Sequence, residues 1–493
     1  MIWKIAKKEF LLNLMTFKFA VGTILCVVLM AVFVPILGKA YQERLKTYNQ
    51  NVAYNEAELH KVTVYKNITP AIYRRPSVLA VFSEGLAKQL GNSATIEYDE
   101  VPEISGAAAN HYLSIFSVFD VSLIFKIVIS ILALLLAYDA ISGERERGTL
   151  RLVLSNNAAR YQVLLGKLLA GLLVLVVAVT IAFVLGLVIL LCLPMVDFTG
   201  SDWIRIGLMY LASLVFIVTM YNLGLLFSSL ARRSALSLVL ALFVWIIFLV
   251  VIPNASVYLA TQTRSIEPED KINKQITSLR RQAQTEFYKE LERSGKSYMS
   301  GHNERSDVPG AGGFGHGYVR SGSKAFIYNE LINYSIDVPI QIRYANQYSE
   351  IKDVYLRSLF EQTRLANNLS RISPISLYEN IMSALAETDM AGFQHFIDAV
   401  KPYRNDIIEY MRSRTNNFSS TIFFTPCTEE EIETRPSGDT AAPLELSDLP
   451  RFTYSADIVV TLRRIAPDLA FLILGNVLFF AVAFAAFTRY DVR

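Results

Sequence analysis

The sequence predicts an all-α polytopic membrane protein with six transmembrane helices and a mainly helical extracytoplasmic domain. Three observations carry this expectation. Of 493 residues, 53% are hydrophobic and only 18% are charged, below the roughly 25% charge usual in soluble chains. The apolar excess is gathered into long runs near the start, in the second quarter and at the end. Basic residues crowd alternate connections between those runs. Length alone would suggest two or three domains, and composition overrides it. The net charge of +3 is too small for a nucleic-acid footprint, and no basic stripe interleaved with aromatics is present, so nucleic acid is not an expected partner.

A hydrocarbon core of roughly 30 Å needs about 20 apolar residues of helix, which assigns each element in turn. Residues 1–18 hold Ile2, Trp3, Ile5, Ala6, Phe10 and Leu14 close to helical spacing, with lysines on the other face. That pattern fits a helix lying in the membrane interface, and it equally fits a plain cytoplasmic extension of the first span. Residues 19–38 form that span; the run is longer than the apolar core of a signal peptide and is read as retained. Residues 39–118 are extracytoplasmic, continuing the helix from Ala40 to Leu59 before turning irregular near Pro70 and Arg74-Arg75-Pro76. Spans follow at 119–138, 168–193, 204–228, 236–252 (the shortest) and 469–487. The charged segment 139–167 separates the second and third spans, residues 253–468 form the second outer region, and 488–493 are the tail.

Orientation follows from lysine and arginine bias in short loops. Lys4, Lys7, Lys8 and Lys18 precede or enter the first span; Arg145, Arg147, Arg151 and Arg160 lie in segment 139–167. Arg232 and Arg233 join the fourth and fifth spans, and Arg489 and Arg493 end the chain. The connection 194–203 instead carries Asp197 and Asp202 and no basic residue. Both termini are therefore expected in the cytoplasm and both large polar regions outside.

Residues 253–468 are numerous enough to bury a core of their own. Ile272, Ile276, Leu279, Phe287 and Leu291 recur at helical intervals among charges, and Tyr344, Tyr348, Ile351, Tyr355 and Leu359 repeat the pattern. Residues 300–323 read as a glycine-rich loop. Ser373-Pro374 breaks the second helix, and Thr388-Asp389 caps another that reaches Met411, with a kink or split expected at Pro402. Residues 427–449 are acidic and rich in Pro, Ser and Thr, as loops are.

Enzyme chemistry finds little to stand on. Cys26 and Cys192 fall in apolar runs, leaving Cys427 alone in a polar region, without a disulfide partner or zinc-like spacing. Gly295-Lys296-Ser297 matches the tail of a phosphate-binding loop, but Glu290 stands where its first glycine belongs and the surroundings are a charged helix. The loop around Gly312 lacks a strand–helix setting, and His302 and His316 beside it have no spaced carboxylates. No catalytic residue, metal site or cofactor is expected in this chain.

Lys126 is the one clear charge inside an apolar run, where a basic residue at the bilayer centre costs roughly 2.5–3.5 kcal/mol. At 1.5 Å per residue it lies about 10 Å along the second span. It either snorkels outward, or lines a polar path, or pairs with Asp468 at the outer end of the last span. Tyr221, Asn222 and Asn476 are candidates for hydrogen bonds between helices.

Segment 139–167 remains, too long and too charged for an ordinary membrane loop. Its Glu144-Arg145-Glu146-Arg147-Gly148-Thr149-Leu150, followed by LVLSNNAAR and Leu165-Gly166-Lys167, resembles the cytoplasmic loop of ABC-2 type transporter permeases. Lys7-Lys8-Glu9-Phe10 resembles their membrane-entry helix, and the terminal Arg489-Tyr490-Asp491-Val492-Arg493 also fits. YRRPSVLAVFSEGLAKQLGN and VIPNASVYLA are similar to a subgroup with a large extracytoplasmic insertion, related to gliding-motility and copper-enzyme-maturation permeases. One departure is Asn157, where such permeases often carry proline.

The resemblance implies a half-transporter of the bacterial inner membrane. Two permease subunits, identical or paralogous, would form a dimer, and each would rest on a separate ABC ATPase subunit that holds ATP and Mg. Carried onto this chain, the coupling contact is Gly143, Glu144, Arg145, Glu146, Gly148, Thr149 and Leu150. Alternating charges suit polar contact with a soluble partner, and Gly148 suits a close turn. Lys126, Asn222 and Asn476 are the intramembrane polar candidates. Membrane lipid, and a periplasmic protein gripped by the outer domain, complete the expected partners. The alternative is an anchoring or mechanotransmitting component that passes no substrate. An ion-driven carrier is disfavoured, because internal repeats and intramembrane carboxylates are not evident.

Overall fold

The computed structural model describes residues 2–87, 89–102, 104–105, 120–150, 159–296, 333–415, 443–454 and 457–489. Helix α1 (Ile2–Leu14) leads into α2 (Phe17–Leu59). Three short antiparallel strands follow, β1 (Ala71–Tyr73), β2 (Ser93–Thr95) and β3 (Ile104–Ser105), in the order β1-β2-β3. Then come α3 (Val121–Glu146), α4 (Arg160–Leu191), α5 (Gly200–Leu230) and α6 (Ser234–Thr263). The outer helices are α7 (Glu269–Arg293), α8 (Val338–Ser370), α9 (Pro374–Ala386) and α10 (Met390–Arg414), before α11 (Ile458–Thr488) closes the chain. Among the described residues, six helices, α2 to α6 and α11, are long and apolar enough to cross a membrane. The protein is an all-α polytopic membrane protein, as its composition predicts.

Helices start where the sequence supplies caps. Thr16 accepts from the backbone N–H of Phe19, and Thr199 and Asp202 form a reciprocal capping box at the start of α5. Ser373 and Asp389 cap α9 and α10, each contribution worth about 1 kcal/mol. The spans outrun their apolar runs. The 43 residues of α2 make a rod of about 65 Å, roughly twice the hydrocarbon core, continuous through Pro35. Helix α10 likewise runs unbroken through Pro402, where a split was one expectation; its buried face of Phe396, Val400, Tyr403 and Ile407 outweighs one missing N–H.

Two expectations about the outer regions change. Residues 39–118 and 253–468 do not stand apart: Tyr65, Ile72 and Ile96 share one core with Phe396, Val400 and Tyr403. Buried Arg404 fastens them, donating to the carbonyls of Tyr98 (2.6 Å), Glu97 and Glu100 (both 3.1 Å). Nor is α9 part of an outer domain. Most of its residues are buried, with Glu379 left exposed, and Ile375, Leu377, Tyr378, Ile381 and Leu385 lie in the core of the bundle. Tyr378 stacks on Phe216 of α5 at 4.4 Å, with its hydroxyl 3.0 Å from Ser213 Oγ.

Helices α7 and α8 pair through Ile272, Ile276 and Tyr348. Gly295, with φ of +63°, follows the capping residue Ser294 at the end of α7, so Gly295-Lys296 is a helix stop. Ser297, residues 300–323 with His302, Gly312 and His316, and Cys427 lie outside the described residues.

Candidate functional site

Segment 139–167 begins as α3 turns at residues 138–141 and resumes as the short helix Ser142–Glu146. The turn is pinned to α5, because Ser228 Oγ accepts from the N–H groups of Ile141 (2.9 Å) and Ser142 (3.1 Å). Gly143 packs buried against that corner. Gly148 has φ of +73° with open space around its α-carbon, a conformation that glycine adopts at no steric cost. Leu150 then returns to the interior, sharing an apolar cluster with Ile141, Val163, Leu164 and Phe487. Residues 151–158, Arg151 and Asn157 among them, lie outside the described residues.

The charges of the segment meet helix ends of opposite polarity. The last carbonyls of a helix lack intrahelical donors and carry partial negative charge; the first N–H groups carry the reverse. Arg145 donates to the carbonyls of Ala231 (3.0 Å) and Ser229 (3.2 Å) at the C-terminal end of α5. Arg160 donates to Phe487 and Thr488 at the C-terminal end of α11. Glu146 accepts from Ser234 N (3.2 Å) and Oγ (2.8 Å) at the N-terminal start of α6. Charges of these signs are favourable at the helix ends they face.

Not all of the alternating charges are free for contact with a soluble partner. Glu144 turns inward to Lys167 at 2.8 Å, and Arg145 is spent on α5. Open groups at two helix ends, those of α5 and α6, lie within reach of one short helix, and its charges satisfy them; Arg160, at the start of α4, meets the third. Glu146, Arg147, Gly148 and Thr149 remain exposed. Among the described residues, Arg147 and Thr149 bond only to the carbonyls of Gly143 (3.1 Å) and Glu144 (3.3 Å).

The intramembrane candidates resolve into separate pairs. Lys126 does not reach Asp468: it pairs with Glu379 of α9 at 2.9 Å, while Asp468 pairs with Arg371 at 2.6 Å. Helix α9, seated between the spans, supplies a nearer carboxylate. Lys126 lies in a π-helical turn, Phe125–Ile129, whose neighbour Ser130 accepts from Trp245 Nε1 of α6 (2.9 Å). Asn222 donates to Asn476 Oδ1 at 2.8 Å, and Asn476 donates to Thr219 Oγ1 at 2.8 Å, joining α5 to α11. Tyr221 donates to the carbonyl of Lys167 at 3.1 Å.

At the start of α3, the Asp120 carboxylate accepts from the N–H groups of Glu84 (2.9 Å) and Leu123 (2.8 Å) and from Ser122 Oγ (2.9 Å). Sequence inspection missed Arg205, which meets Glu387 at 2.5 Å and the carbonyl of Leu385 at 3.0 Å below α9. It also missed the buried Lys167 and its partner Glu9 at 3.3 Å. One signal was present: Glu9 is the lone acid among Lys4, Lys7 and Lys8.

Among the described residues, no group of three or more His, Cys, Asp or Glu gathers to hold a metal ion. The arrangement is an exposed turn carried on a short helix that is bonded to several spans. A family model described as ABC-2 family transporter protein matches residues 3–492 of this chain. The chain is 35% identical over 128 residues to a probable ABC transporter permease protein NosY of Stutzerimonas stutzeri, covering 24% of this chain and 44% of that protein. It is 39% identical over 122 residues to the Pseudomonas aeruginosa protein of the same name, covering 24% and 43%. The chain thus spans less than half the length of the curated relatives it matches.

Proposed function

This chain belongs to the ABC-2 family of transporter proteins, and on that premise we propose that it is the permease subunit of a bacterial ABC exporter. A separate ATPase subunit binds ATP and Mg, docks on segment 139–167 and drives movement of a substrate across or out of the inner membrane. A second permease subunit, identical or paralogous, completes the transporter. Both termini face the cytoplasm, which accords with Lys4, Lys7, Lys8, Arg232 and Arg233 gathering at the end of the bundle that carries the segment.

One observation carries the docking role: the turn Arg147-Gly148-Thr149 is exposed while the charges around it are bonded to α5, α6 and α11. A partner pressing on that turn displaces three spans together. To test this, the protein is purified from its native membrane and what accompanies it is identified. An ATPase subunit is expected. The double variant Arg147→Glu/Thr149→Glu is expected to lower its retention about tenfold or more, the equivalent of about 1.4 kcal/mol, with thermal stability unchanged. Equal retention by the variant and the parent protein would sink the docking role.

A second function is favoured by α2, one unbroken helix of 43 residues that runs from the bundle core to the outer module. Such a rod suits a component that transmits force to a periplasmic protein without passing a substrate. An ATPase that binds and turns over while no substrate moves in vesicles would favour this second function.

A further inference from the structure

Lys167 sits where four elements meet. Its side chain is 3% exposed, and its Nζ lies 2.8 Å from Glu144 of the charged segment and 3.3 Å from Glu9 of α1. Its carbonyl accepts from Tyr221 of α5 at 3.1 Å. The neighbouring Gly166 lets α1 approach, since a β-carbon there would stand 2.8 Å from Ile5. A second tie lies nearby: Lys18, where the chain leaves α1, pairs with Asp139 at 2.8 Å and with the Tyr138 hydroxyl at 3.0 Å. Helix α1 is therefore linked to the short coupling helix through Lys167, and the start of α2, just after α1, is bonded to the turn that precedes that helix.

A buried ammonium between two carboxylates is a poor way to gain stability. Its desolvation cost offsets much of the attraction, and apolar or neutral replacements of such triads are often as stable. What a triad does provide is a fixed register among the elements that bear it, because breaking one partner leaves a buried charge. We propose that Lys167 is a positioning residue for energy coupling: it locks α1 and the coupling segment to α4, so that the three move as one body when the ATPase pushes. This rests on the docking role assigned to segment 139–167, and it extends that role to α1, which becomes part of the lever instead of a passive anchor.

The test uses the intact complex of this chain with its co-purified ATPase, assayed for ATP turnover, ATPase retention and thermal stability. Lys167→Met is expected to retain the ATPase subunit with KM for ATP little changed, while kcat of the complex falls about tenfold or more. Lys167→Arg is expected to recover most of kcat. The neutral triple variant Glu9→Gln/Glu144→Gln/Lys167→Met guards against misfolding. It is expected to regain thermal stability but not kcat. Recovery of both in the triple variant would overturn the proposal, reducing the triad to a folding contact. Loss of ATPase retention in the parent protein would instead overturn the docking role, and the positioning role with it.

Discussion

Arg145, Glu146 and Arg160 show how few residues fasten the coupling segment, each facing a helix end of opposite polarity. Arg145 is the most exacting of them, because its planar fork serves two carbonyls at once. Arg145→Ala leaves those acceptors unpaired and is expected to cost about 1–3 kcal/mol of stability, read as a lowered thermal midpoint in detergent. Lysine in its place should rescue little of that loss, since a point charge does not reproduce the fork. These residue types were legible in the sequence, but their targets were not. Helix ends are identified only once helices are placed side by side, and a string of alternating charges looks the same whether it faces a partner or its own bundle. The pairing of Lys126 with Glu379 was hidden for the same reason: 253 residues separate them.

At the scale of elements, the length of the apolar runs located six spans, and apolar stripes at helical spacing located the paired outer helices. Helix α9 escaped both. Pro374–Ala386 is too short for a span and lies inside a polar stretch, so nothing local says that it returns to the bundle. The α7–α8 pair carries a pH-dependent clamp: Tyr344 donates to Glu286 at 3.0 Å and Arg343 does so at 2.6 Å. The Tyr344 hydroxyl, with Arg343 beside it, holds the Glu286 carboxyl below the usual glutamate range. A lowered carboxyl stabilises the fold fully above its unfolded value of about 4.3 and ceases to do so as pH falls through the lower folded value. Glu286→Gln is therefore expected to match the parent protein in acid and to fall behind it as pH rises, with hydrogen exchange in α7 as the measure.

For the whole molecule, alternating basic loops gave a topology in which α1, the coupling segment and the α5–α6 connection share one end, and the bonds among them hold that end together. The outer module has a core of its own, α9 packs into the core of the bundle, and α2 runs from one core to the other. The merging of residues 39–118 with the later outer region into one core was not legible, because contacts so distant in sequence leave no periodic trace. What the whole arrangement implies is a lever at the end that carries segment 139–167. The most direct test places a photo-reactive residue at Thr149 and, as a control, at Arg281 on exposed α7, in intact cells. Irradiation should join position 149 to an ATP-hydrolysing subunit and leave position 281 without that adduct. An adduct with the ATPase at position 281, or none at 149 while the complex remains assembled, would contradict the assignment of segment 139–167 as the docking site.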